Sequence, residues 1–187
     1  SSLPVCHVVN THVHPDHVLG NNAFVDANGS GLPPQFVGHQ RLAAALSARA
    51  PFYLNALKRD FDPADQASTV APPTLAVHDR LELDLGDRVL ELRAWPTAHT
   101  DNDLTVFDRS SGTLWLGDLV FAGHLPVLDG KLRGWREVLR ELKTLSPRQA
   151  VPGHGPVMRD WPAAVTPTER YLEGLEIDIR AALKDGL

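Results

Sequence analysis

The chain holds a single cysteine, Cys6, and a single methionine among 187 residues. One cysteine excludes an intramolecular disulfide and any cysteine-rich metal site. Basic charge is scarce as well. Eighteen Lys and Arg stand against 23 Asp and Glu, a formal charge of −5, and nucleic-acid binding needs a basic face that this balance does not supply. No run of 18 apolar residues occurs, so no segment reads as a membrane span. Ser1-Ser2-Leu3-Pro4 has neither the charged nor the apolar region of a signal peptide, which constrains the location in a bacterium little, periplasmic or cytoplasmic, because a mature or trimmed chain would also lack one. What remains is an ordinary globular composition, 43% hydrophobic and 22% charged, enough for one domain over residues 1–187 with a buried core. Two counts stand out, 15 prolines and nine histidines. The prolines imply many loops, and the histidines matter only where they cluster.

The chain shows no internal repeat. Val5 to Val9 reads as a short buried strand, and Phe36-Val37 as another. Leu42, Ala45 and Leu46 recur at helical spacing from His39 to about Arg49, and Pro51 is expected to open a second helical turn. Residues 60–74, rich in Asp and Pro, read as a flexible loop. The period then changes to two. Leu81-Leu83-Leu85 and Val89 to Ala94 flank Gly86-Asp87 as one hairpin, and Leu104–Phe107 with Leu114–Leu116 form a second. Trp135, Val138, Leu139 and Leu142 share a helical face that ends by Ser146-Pro147. Thr166, Pro167 and Glu169 have the spacing of a capping box, ahead of a stripe at Leu172, Leu175, Ile179 and Leu183. Hairpins mixed with helices point to an α/β (α+β) chain with antiparallel or mixed sheets and helices outside.

The strongest chemical signal is Thr11-His12-Val13-His14-Pro15-Asp16-His17. In an extended stretch residues i and i+2 project to one side, so His12 and His14 can grip one ion. Asp16 and His17 follow a proline, where the chain turns, and can face a second. Imidazole with carboxylate suits zinc, and also iron or manganese. The bland alternative is a histidine-rich surface loop. His99, Asp118 and His154 each lie where a predicted strand meets a loop. Taken singly, each is as readily a loop or turn residue as a ligand. Together and in this order they are more specific.

The set His12-x-His14-x-Asp16-His17, His99, Asp118 and His154 resembles that of the metallo-β-lactamase superfamily of dinuclear metal hydrolases, over Val5 to His154. The resemblance implies an αββα sandwich with the metals at one edge. It implies that His12, His14 and His99 hold a first metal, that Asp16, His17 and His154 hold a second, and that Asp118 bridges them. An aspartate at the bridge resembles the glyoxalase-II and phosphodiesterase types, where true β-lactamases have cysteine or serine. Trp95 to Asp103, Gly117 to Phe121 and Leu125 to Gly130 look like the bacterial zinc metallohydrolases associated with quinoprotein dehydrogenases. The chain departs from the common Gly-His-Thr-Pro-Gly stretch, having Ala98-His99-Thr100-Asp101-Asn102.

The implied function is a dinuclear zinc-dependent hydrolase using a metal-bridging hydroxide on a small-molecule ester, thioester, lactone or phosphodiester. Two alternatives stay open: a mononuclear iron, sulfur-oxidising oxidoreductase of the same fold, and a non-catalytic metal-binding fragment. Asp16 would orient the nucleophile. His124, six residues after Asp118, could protonate the leaving group or sit as a loop histidine. Thr100, Asp101 and Asp103 are candidates to hold the histidine ligands from behind. His7, His39 and His78 read as structural. Superfamily members carry several strands before the first motif, and here eleven residues precede His12. The expectation is therefore a sandwich short of much of its N-terminal sheet, with an exposed edge at Val5–Val9 that pairs in a homodimer or larger assembly.

Overall fold

The computed structural model describes residues 4–25, 27, 29, 31–60 and 70–186. They form two compact units, Ser1–His78 and Asp79–Leu187. Each has its own sheet.

The first unit contains a three-stranded parallel sheet in the order β1-β2-β3. Its strands are β1 (His7–Val9), β2 (Gln35–His39) and β3 (Leu75–Val77). Val8 pairs with Phe36 and Val37 with Leu75, so the apolar β2 occupies the centre. The first strand is shorter than the expected Val5–Val9, and one of its edges is paired. β3 lies just beyond the 60–74 stretch and carried no alternating pattern to announce it. Residues 61–69 of that expected loop lie outside the described residues. After β1 the chain runs through the histidine segment into a single helical turn, α1 (Pro15–Val18), a 3-10 turn and α2 (Asn22–Val25). Val13 and Val18 are fully buried with Leu42 and Leu46 in a small core.

The helix α3 (Leu42–Asp60) corrects two expectations. It starts after His39, because His39 closes β2 and its Nδ1 accepts a hydrogen bond from the Arg41 amide at 3.0 Å. It also runs straight through Pro51. Pro51 removes one backbone hydrogen bond, but it sits on the exposed side. The buried residues Leu42, Leu46 and Tyr53 anchor the helix before and after it.

The second unit is built on a five-stranded mixed sheet in the order β4-β5-β6-β7-β8. The strands are β4 (Arg80–Asp84), β5 (Val89–Ala94), β6 (Leu104–Asp108), β7 (Thr113–Phe121) and β8 (Gln149–His154). Both expected hairpins are present as antiparallel pairs, whereas β7 and β8 are parallel and joined through α4 (Leu132–Leu142). Trp135, Val138, Leu139 and Leu142 of α4 are buried with Leu114, Leu116 and Ala150 of the sheet.

The last helix, α5 (Thr166–Lys184), lacks the predicted capping box. A 3-10 turn over Ala163–Val165 runs directly into it, so Thr166 already has helical dihedral angles, φ −56° and ψ −39°, and its side chain does not cap. Glu169 instead accepts from Lys143 Nζ at 2.8 Å. The Thr168 hydroxyl joins the helix to the end of β7, donating to the Phe121 carbonyl and accepting from the Phe121 amide. The stripe is buried only at Leu172, while Ile179 and Leu183 are exposed. Among the described residues no helix is long and apolar enough to cross a membrane.

Candidate metal centre

In the first unit the ligand segment leaves β1 at Asn10. Alternation then does the sorting. Val13 turns into the small core and is fully buried, so His12 and His14 project to the opposite side. His12 Nε2 and His14 Nδ1 stand 3.1 Å apart. The Thr11 hydroxyl lies 3.1 Å from Nδ1 of His12 and 3.4 Å from Nδ1 of His17. A histidine that ligates through Nε2 keeps its proton on Nδ1 and needs an acceptor there, and one hydroxyl oxygen with two lone pairs serves both rings. Pro15 opens α1, which swings Asp16 and His17 into a pair with Asp16 Oδ2 and His17 Nε2 3.3 Å apart.

Two asparagines brace this segment. The Asn10 amide donates to the His17 carbonyl at 2.9 Å and to Asn21 Oδ1 at 3.0 Å. Asn21 donates back to Asn10 Oδ1 at 2.8 Å and to the Ala71 carbonyl at 3.1 Å. Both are buried. Their reciprocal bonds close the loop around the histidines, a role the sequence reading missed. The signal available was only an asparagine at the strand end.

In the second unit Asp118 lies inside β7 rather than at its end, contrary to expectation. The pairing of β7 with β8 slips on either side of Gly117, whose φ is +52°. Such an irregularity re-aims the next side chain, and Asp118 is 4% exposed. Its Oδ2 sits 3.6 Å from His99 Nε2 and 3.3 Å from His154 Nε2. His154 ends β8 and stacks on Phe121 at 5.4 Å between ring centroids. Gly153 makes the approach possible, since a Cβ there would lie 1.8 Å from Asp118 Oδ1. The glycine was expected to leave room for an ion. It leaves room for the carboxylate.

His99 is fully buried, edge-on to Trp135 and Phe121. Its Nδ1 stands 2.9 Å from the Val127 carbonyl. That backbone oxygen supplies the acceptor expected from Thr100, Asp101 or Asp103. The same segment is fastened to the His99 loop by Asp129 N to His99 O and Lys131 N to Ala98 O. Gly130 permits this closeness, because a Cβ would meet the Ala98 carbonyl at 2.2 Å. Asp103 serves its own loop, accepting from the Thr100 amide and hydroxyl. Burial pushes its carboxyl up to about 7, against the lowering effect of the Thr100 bonds.

The donor chemistry suits a divalent metal. Two ligands sharing one tetrahedral ion at zinc bond lengths stand roughly 3.3–3.4 Å apart, and the nitrogen and oxygen spacings within each unit cluster near that figure. Each unit thus holds histidine and aspartate side chains that could take part in metal binding. His124 is exposed, with its ring centroid 6.0 Å from that of His154. His39 is bonded to the Arg41 amide and His78 to Gln40, in keeping with structural roles.

Comparison with known proteins follows the same lines. The family model described as the metallo-beta-lactamase superfamily matches residues 1–154. Among solved structures, a metallo-beta-lactamase from Pontibacter korlensis is similar at TM-score 0.69 and 20% identity, covering 92% of this chain and 71% of that one. An archaeal metallo-beta-lactamase superfamily protein from Sulfolobus tokodaii is similar at TM-score 0.65 and 16% identity, over 88% and 66% of the two chains. A beta-lactamase domain protein from Burkholderia ambifaria is similar at TM-score 0.72 and 19% identity, over 96% of this chain and 57% of that one. This chain therefore spans less than two thirds of the length of the last two. No curated protein matches the sequence.

Proposed function

The chain belongs to the metallo-beta-lactamase superfamily, and from that premise we propose that it is a dinuclear metal-dependent hydrolase. His12, His14 and His99 hold one ion in this reading, Asp16, His17 and His154 hold the other, and Asp118 is shared. The observation that carries it is the position of Asp118 Oδ2, between the Nε2 atoms of His99 and His154 at 3.6 and 3.3 Å. A carboxylate oxygen flanked by one histidine from each proposed set supports the reading of Asp118 as the shared ligand. Two zinc ions, or iron or manganese in their stead, would lower the pKa of a shared water from 15.7 toward ~7 and polarise the substrate oxygen.

The chain's own groups then have definite tasks. The Thr11 hydroxyl and the Val127 carbonyl hold ring protons on Nδ1, which keeps the opposite nitrogens available. Phe121 and Trp135 shut water away from His99. The exposed Asp16 carboxylate accepts a hydrogen bond from the attacking water and orients it. His124, near His154 and open to solvent, passes a proton to the leaving group. The substrate class is an ester, thioester, lactone or phosphodiester.

The test is elemental analysis followed by turnover of a substrate panel. About two metal equivalents per chain and hydrolysis of one panel member are expected. One tightly held iron with no second site would replace this reading with the sulfur-oxidising one. The Asp118→Asn chain should stay folded and lose more than about a hundredfold in turnover, since even groups behind a ligand cost 10–100-fold. Unchanged turnover at full metal occupancy would remove the bridge.

A further inference from the structure

The second unit has a cavity away from its ligand residues. It lies on the face of the five-stranded sheet beside the loop that follows α4, and measures about 190 Å³. The pairing register explains what lines it. Directly opposed residues share a face, and Arg80 pairs with Arg93, Arg93 with Thr105, Glu91 with Phe107, and Phe107 with Leu114. Helix α4 covers the β7 side of this face through Leu114. Past the end of α4 the cover stops, and Leu145 and Pro147 form a rim over the gap.

Two features of the lining are unusual together. Its walls are apolar, made by Trp95, Phe107, Leu114 and Leu145. Yet two arginines stand opposite each other on neighbouring strands, an arrangement that like-charge repulsion disfavours. Arg93 is stacked 3.7 Å over the Trp95 ring, and its Nη2 is engaged by Glu141. Its Nε is buried without a hydrogen-bond partner, and Nη1 donates to no described residue. Arg80 forms no ion pair among the described residues. Glu91, the one acid in the lining, is held by Arg109. The lining therefore carries Arg80, Arg93 and Glu91, a formal charge of +1 beside an apolar hollow.

We propose that this cavity binds a small aromatic or branched-chain monocarboxylate, its carboxylate between Arg80 and Arg93 and its apolar body against Trp95, Phe107 and Leu145. Size sets the class. A cavity of about 150 Å³ lined by apolar side chains takes one benzene ring, so this one has room for a single ring or a five- to six-carbon branch. Charge sets the rest. One excess positive charge matches a monoanion, and the Arg93 guanidinium, fixed on an indole, offers Nη1 as a charge-assisted donor opposite Arg80. The site is independent of the metal reading, because none of its lining residues is a proposed ligand.

Metal-stripped chain, titrated with benzoate and observed by ligand NMR and calorimetry, tests this without interference from a metal. Saturable binding with Kd on the order of 1 mM is expected for so small a ligand. Neutral benzamide should bind at least about tenfold more weakly, as should benzoate to the Arg80→Gln chain, because a charge-assisted pair is lost in each case. Leu145→Trp fills the hollow without changing charge and should abolish binding. Equal binding of benzoate and benzamide, unchanged binding in either variant, or no saturation would overturn the proposal.

Discussion

The two regions that carry the candidate ligands solve the same problem by different means. In the first unit, His12, His14, Asp16 and His17 come from six consecutive positions. They are held by side chains, the Asn10–Asn21 amide pair and the Thr11 hydroxyl. In the second, His99, Asp118 and His154 come from positions spread over more than 50 residues. They are held chiefly by backbone, the Val127 carbonyl, the pairing slip at Gly117 and the clearance at Gly153. The first rests on a small core of Val13, Val18, Leu42 and Leu46. The second is embedded in a core that includes Trp95, Phe121 and Trp135. A local motif can be positioned by a few polar bonds, whereas candidate ligands gathered from distant strands depend on the whole sheet being in register.

That contrast can be broken most severely at Gly153. A methyl group there meets the Asp118 carboxylate at 1.8 Å, so β8 and β7 must part. Gly153→Ala should cost about 1–3 kcal/mol by overpacking and reduce metal binding more than changes to the Asn21 or Thr11 braces of the first unit. Denaturant unfolding and metal titration would show it, and native stability with full metal affinity would contradict the role given to the backbone.

Next comes pH. The Asp103 carboxyl has its pKa raised from 3.8 to about 7 in the folded state. The folded chain therefore holds a proton that the unfolded chain has lost between those values. The contribution of this group to the stability of the metal-free protein should be greatest below about pH 4 and fall as pH rises toward 7. The loss from this group is on the order of a few kcal/mol at most. Asp103→Asn should flatten the slope in that window. An identical slope in the variant would place its origin elsewhere.

In the first unit, Asn21→Ala leaves the Asn10 amide short of a buried partner, at a cost of about 1–3 kcal/mol. Faster hydrogen exchange should be confined to residues 10–21, with the second unit unaffected. Exchange spread equally over both units would erase the distinction drawn between them. The smallest effect is expected from Thr11→Val, which removes the acceptor behind His12 and His17 but keeps the shape of the side chain. Metal affinity should fall about tenfold, with thermal stability little changed.

How much of this was legible beforehand depends on the range of the interaction. The hairpins at Gly86-Asp87 and Ser110-Gly112 were readable because alternation and turn chemistry act over a few residues. The α4 stripe was readable for the same reason. Pro51 misled, because a single proline's local cost is outweighed by the anchoring of Leu42, Leu46 and Tyr53 around it. Thr166 misled too, since a 3-10 turn had already committed its backbone. Strand β3 has only three residues, too few to show a period, and it exists because β2 offers it an edge.

The sequence by itself determined which atoms are available as ligands, their order along the chain and the face that each strand buries. Residue identity and short-range periodicity are properties of the chain alone. Tertiary structure decided how those atoms are aimed. Neither the Val127 carbonyl behind His99 nor the clearance of Gly153 for Asp118 has a residue-type signature, because any residue has a carbonyl and a glycine is silent about what approaches it. Those contacts join positions dozens of residues apart, and they come into being only when helix and sheet pack with the register that the buried side chains select.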